Sequence, residues 1–150
     1  MKCPPKCAHQ SIHMSRRTSF SSAHLYKQSK WTREKNASEF GLCFSEFGHG
    51  HNYVLEAFFE GPIAAKTGLL VNLMDIDPIL KKLTDEFDHQ HLNFTHPHFK
   101  SEVRVPTTEN IAAYLWEKLK IEIEKLNIDG LRLYKIKLLE DDDLWVEIRA

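Results

Sequence analysis

The chain has 150 residues, enough for one domain, and 42% of them are hydrophobic, enough for a core. Its 20 basic and 21 acidic residues give a formal net charge of -1, which excludes a strong global field toward nucleic acid or an anionic membrane. No apolar run reaches membrane-span length and no apolar leader is visible near Met1, so the 3 cysteines are expected to be reduced thiols in the cytoplasm.

Residues 1–10 are broken by Pro4 and Pro5 and read as disordered, with Cys3 and Cys7 as incidental thiols rather than a second metal site. Ile12–His24, rich in Ser, Thr and β-formers, reads as a strand. The polar stretch 27–41 reads as a long loop or lid. His49–Gly61 reads as a strand ending at Pro62, and 67–73 (TGLLVNL) as a further short strand. Asp75 or Asp77 is expected to cap a helix with Pro78 in its first turn, its apolar face carrying Ile79, Leu80, Leu83 and Phe87. A second helix over 107–126 is capped by a threonine and has one apolar face, including Ile111, Leu115, Leu119 and Ile123. Residues 127–130 end it. The segments 131–140 and 144–149 read as two strands joined by the acidic turn Asp141–Asp143. Helices grouped rather than alternating with strands predict an α+β fold: one antiparallel sheet with two helices on one face.

The chain holds 9 histidines, an unusual number for a nearly neutral protein. Most read as ordinary surface and loop residues. His49 and His51 differ, because side chains two apart on a strand project from the same face. An H-x-H pair alone is weak, since ordinary strand histidines are commoner. If the two long strands pair antiparallel, however, His24 at the end of one meets His49 and His51 at the start of the other. Three imidazoles with an open position form a catalytic rather than a closed structural zinc site.

Other residues near this centre carry both a chemical and a plain structural reading. Cys43 is either a small core residue or a thiol activated by a nearby cation. Asp88 and His89 follow the first helix; they could move protons, although a histidine at a helix C-terminus needs no such role. Glu109 in the first turn of the second helix suits the helix dipole. Glu140, at a strand end before an acidic run, could bind an amidine-like N–H pair with both oxygens.

The ordered segments SRRTSFSSAH, FGLCFSEFGHGHNY, TGLLVNLMD, FDHQHLN, PTTENIAAYLW and YKIKLLE cover nearly the whole chain from Met14. Together they closely resemble the 6-pyruvoyltetrahydropterin synthase family, which also includes 6-carboxytetrahydropterin synthases of queuosine and deazapurine biosynthesis. The resemblance implies a T-fold whose four-stranded sheet joins two others in a twelve-stranded trimeric barrel, with two trimers stacked as a homohexamer. It implies Zn2+ on His24, His49 and His51, and Cys43 as proton acceptor. Asp88 and His89 would be its relay from a neighbouring subunit, and Glu140 the pterin anchor. Thr107, Thr108 and Glu109 match the segment near the pterin pocket. The implied substrate is 7,8-dihydroneopterin triphosphate, converted to 6-pyruvoyltetrahydropterin with loss of triphosphate. The C-x5-HGH spacing and the first strand resemble the pyruvoyl type, whereas carboxy types commonly show C-x3-HGH. One departure stands out: Asp141 follows Glu140 where the pyruvoyl type usually carries threonine. A non-catalytic zinc-stabilised pterin- or purine-binding module is a further reading, as is retro-aldol cleavage of a dihydroneopterin side chain. Cys43 with Asp88 and His89 argues against a mere binder.

Overall fold

A computed structural model describes residues 12–100 and 104–150. The segment expected to be disordered, with Cys3 and Cys7, lies outside the described residues. Strand β1 (Ile12–His24) pairs antiparallel along its whole length with β2 (His49–Gly61). Strand β4 (Arg132–Leu139) pairs with β2, and β5 (Trp145–Arg149) with β4, both antiparallel. A two-residue strand, β3 (Gln90–His91), adds to β1 in parallel at Ser22 and Ala23. The sheet therefore has 5 strands in the order β3-β1-β2-β4-β5, not the expected four. Two residues are too few for a period-2 pattern, so β3 left no signal in the sequence.

Helices α2 (Leu73–Asp85) and α4 (Thr108–Lys125) cover one face of the sheet, as expected. Their buried faces, with Ile76, Leu80 and Leu83 from α2 and Ile111, Leu115, Leu119 and Ile123 from α4, follow helical spacing. They meet alternate sheet residues, among them Phe20, Tyr53, Leu55, Phe59, Ile136 and Leu138, in one core. Truncating a fully buried leucine such as Leu115 to Ala would cost about 2–5 kcal/mol. Arg16 locks α2 onto β1 by donating from two guanidinium nitrogens to both carboxylate oxygens of Asp77, at 2.7 and 2.8 Å.

Three expectations are corrected. Residues 67–73 are not a strand. Ala64 N–H donates to Leu69 O at 2.8 Å, Gly68 takes φ 72°, and the chain turns directly into α2. Leu70 and Val71 are apolar because they pack in the core, not because they pair in a sheet. The cap of α2 is Asn72, whose side chain accepts from Met74 N, rather than Asp75 or Asp77; this sets Pro78 inside the helix. The expected loop 27–41 contains helix α1 (Arg33–Phe40), capped by Thr32. Its buried Asn36 ties the turn before it by accepting from Gln28 N and donating to Gln28 O. Such a helix, held by caps and side-chain hydrogen bonds, shows no apolar stripe in sequence. A four-residue helix α3 (Leu92–Thr95) follows β3. Among the described residues, no helix is long and apolar enough to cross a membrane.

Candidate metal centre

Strand register builds the centre. In the β1–β2 ladder His24 stands opposite His49 and Ser22 opposite His51. All three histidines project from the helix-covered face, just beyond the core residues Phe20 and Tyr53. His24 Nε2 and His49 Nε2 are 3.1 Å apart. Strand β4 ends at Leu139, and the next residue, Glu140, extends the set. Ligand atoms of His24, His49, His51 and Glu140 all lie within 4.8 Å of one another.

The ring orientations suit an ion. His24 is fully buried, and its Nδ1–H donates to Pro106 O at 2.8 Å, which leaves the Nε2 lone pair toward His49 and His51. Burial pushes the His24 pKa down to about 4, so the ring is neutral at physiological pH, the state that binds a metal. Burial and the neighbouring His51 also lower the His49 pKa. Tyr53 Oη lies 3.2 Å from His24 Nδ1, and its hydroxyl is held protonated by burial and by the Glu140 charge.

His51 Nε2 is buried and approaches Glu140 Oε1 to 3.0 Å, but at angles that make no hydrogen bond. Glu140 Oε2 is also buried and has no hydrogen-bond partner among the described residues. Orphaned buried polar atoms are costly, and a bound cation or ligand would satisfy both. Burial raises the Glu140 pKa, with His51 opposing it. The residues present therefore fit a metal ion, and a set rich in imidazole suits zinc among biological cations.

The remaining expected site residues are placed as follows. Cys43 ends a short 3-10 turn (Gly41–Cys43), is partly buried, and accepts at its carbonyl from Tyr26 N at 2.9 Å. The Tyr26 ring packs edge-on against His24, which brings the Cys43 turn to the rim of the centre. Asp88 accepts from Ser21 N at 2.8 Å, and its other oxygen lies 2.9 Å from His89 Nδ1. His89 has φ 57°, an uncommon conformation for a residue other than glycine, and its N–H donates to Ser21 O at 2.7 Å. Its side chain is 84% exposed, and among the described residues no hydrogen bond or ion pair within the chain joins it or Asp88 to Cys43. His89 instead lines an open cleft of about 1150 Å3 that also touches His51, Asn52, His91 and Asp141.

Thr107 caps α4 by accepting from Asn110 N, Thr108 is buried in the first turn, and Glu109 follows it. The structure adds three neighbours of the centre to the sequence reading: Tyr53, the Pro106 carbonyl, and Asp141 beside His51, with Oδ2 3.2 Å from Nδ1. Tyr53 was findable, since it continues the alternation His49, His51, Tyr53. The other two depend on loop paths without periodicity.

Fold and site together define an α+β protein in which a largely antiparallel sheet, backed by helices, carries an imidazole-rich cluster that could hold a metal ion. A family model described as 6-pyruvoyl tetrahydropterin synthase matches residues 13–150. The chain is 33% identical to the 6-pyruvoyl tetrahydrobiopterin synthase of Dictyostelium discoideum over 142 residues, 94% of this chain and 98% of that relative. With the Homo sapiens 6-pyruvoyl tetrahydrobiopterin synthase it shares 36% identity over 131 residues, 87% of this chain and 86% of the other. The solved structure of Caenorhabditis elegans 6-pyruvoyl tetrahydropterin synthase aligns with a TM-score of 0.85 at 30% identity, over 94% of this chain and 96% of that one. The chain belongs to the 6-pyruvoyl tetrahydropterin synthase family and has its T-fold.

Proposed function

We propose that this protein is a zinc-dependent carbon–oxygen lyase converting 7,8-dihydroneopterin triphosphate to 6-pyruvoyl-5,6,7,8-tetrahydropterin with release of triphosphate. The observation that carries this reading is the convergence of His24, His49, His51 and Glu140 at one end of the sheet in a chain of this family. His24, His49 and His51 would hold zinc through Nε2, and Glu140 would face the pterin. Zinc bound there supplies Lewis-acid polarisation of the substrate's side-chain oxygens.

The protein's own groups do the rest. The unpartnered Glu140 Oε2, with Oε1 beside it, offers two acceptors to the ring's amino and N3–H donors and so orients the side chain toward the histidines. Cys43, on the turn beside Tyr26, takes the carbon-bound proton whose removal expels triphosphate. The ring gains the hydrogens that the side chain loses, so no external oxidant is required. Thr107, Thr108 and Glu109, at the start of α4, would line the pterin pocket. Asp88 would orient His89 and stabilise its charged form. Since His89 is exposed and away from Cys43 within one chain, it would serve the site of a neighbouring subunit.

That arrangement goes with a cytoplasmic homohexamer of two stacked trimers. The outer edge of β1 before Ser22 and the free edge of β5 would pair between chains and close the barrel. Light scattering that reads a stable monomer would contradict it. The second reading is a 6-carboxytetrahydropterin product, of the queuosine route, since Asp141 departs from the threonine usual in the pyruvoyl type and a relative 30% identical over 101 residues is a putative 6-carboxy-5,6,7,8-tetrahydropterin synthase. The test of the metal-dependent reading is removal of metal with a chelator. Triphosphate release should stop and return when zinc is restored; turnover unaffected by demetallation would overturn it.

A further inference from the structure

We propose that Asp141 is a positioning residue that holds the His51 ring for the metal, a role resting on the zinc reading above. Asp141 Oδ2 lies 3.2 Å from His51 Nδ1, and the opposite ring nitrogen, Nε2, faces the cluster formed with His24, His49 and Glu140. The two nitrogens of one imidazole are thus divided between a carboxylate outside and the ligand set inside. A carboxylate beside Nδ1 favours the tautomer that carries its proton there and leaves Nε2 free, and it makes the ring a stronger ligand.

The backbone holds Asp141 in place. It sits in the β4–β5 turn, where Glu140 N–H donates to Leu144 O at 2.9 Å and Leu139 pairs with Trp145. The same turn therefore sets both Glu140 and Asp141 around His51. His24 is held differently, by the neutral carbonyl of Pro106. The acidic run after Glu140, which would otherwise only repel a triphosphate, thereby has one member committed to the centre. Asp142 and Asp143 are exposed on the same turn.

The test is zinc affinity, measured by competition with a chromophoric chelator, for the parent, Asp141→Ala, Asp141→Asn and Asp143→Ala. Loss of such an outer partner typically weakens metal binding about 10–100-fold. Asp141→Ala should fall in that range. Asp141→Asn should recover part of the loss, because its amide oxygen can occupy the place of Oδ2 beside Nδ1. Asp143→Ala, which removes the same charge from the same turn, should leave affinity unchanged. With cobalt(II) in place of zinc, the visible absorption bands should shift in Asp141→Ala and much less in Asp143→Ala. Asp141 is 58% exposed, so thermal unfolding of the metal-free variants should match the parent. Asp141→Ala losing less than about tenfold in zinc affinity, or Asp143→Ala weakening it equally, overturns the role of Asp141 and leaves the metal centre standing. A parent protein that takes up no zinc overturns both.

Discussion

His24 Nε2 lies 3.1 Å from His49 Nε2 across the β1–β2 ladder, although the two residues are 25 apart in sequence. At that separation one ring can donate to the other, or both lone pairs can point at one ion. The Pro106 carbonyl on His24 Nδ1 and the nearby His51 Nε2 favour the shared ion.

His49→Ala should therefore lower zinc from one per chain toward none while the fold survives, since His49 is only half-buried. His24→Ala should lose zinc and also destabilise the metal-free protein by roughly 1–3 kcal/mol, because the buried Pro106 carbonyl and Tyr53 hydroxyl lose a partner. Elemental analysis and denaturant unfolding separate the two effects. Full zinc content in either variant would remove that residue from the ligand set.

Cys43→Ala should abolish most turnover and leave zinc content and pterin binding intact, because the thiol lies outside the cluster of ligand atoms. General-base contributions are about 10²–10⁴-fold. A loss below about tenfold would pass the role to another group.

How far the centre was legible depended on period. His24, His49 and His51 could be assembled from alternation and one assumption, antiparallel pairing of two long strands, which the register bears out. A threonine cap for α4, which the structure places at Thr107, followed from the residues before that helix, and the apolar faces of α2 and α4 followed from helical spacing. Where geometry comes from loops, the pattern was silent. The Asn72 cap, the turn at Gly68 and the two residues of β3 are set by tertiary packing, and Leu70 and Val71 mimic a strand because the core needs them apolar. Asp141 read as part of a solvated acidic turn, and only the path of that turn brings its carboxylate to His51.

Glu140→Gln should keep zinc and weaken substrate binding, since an amide replaces one acceptor with a donor facing the ring's N–H groups. A hydrogen bond to a charged group is worth about 1.5–3 kcal/mol, so kcat/KM should fall about 10–100-fold. If zinc is lost instead, Glu140 is a metal ligand and not the pterin anchor.

Stability should fall on acidification through His96, away from the metal centre. His96 is buried against Phe87, Phe99 and Tyr114, and its Nδ1 accepts from His98 N. Burial lowers its pKa, with Glu86, 4.0 Å from Nε2, pulling the other way and the charge on His98 adding to the depression. The unfolded chain therefore binds this proton first. The stabilisation is complete above the ordinary histidine value of 6.5 and is lost as pH falls below it through the folded-state pKa. His96→Phe, which fits the aromatic surroundings, should flatten the fall in melting temperature over that range. An unchanged pH profile would contradict it.

The most direct test of the central claim is mass-spectrometric product analysis after incubation of the zinc-loaded protein with 7,8-dihydroneopterin triphosphate. The account predicts triphosphate and 6-pyruvoyltetrahydropterin in equal amounts, with both formed about 10²–10⁴-fold more slowly by the Cys43→Ala protein. A 6-carboxytetrahydropterin product, a cleaved pterin with the triphosphate still on its side-chain fragment, or unchanged substrate would contradict it.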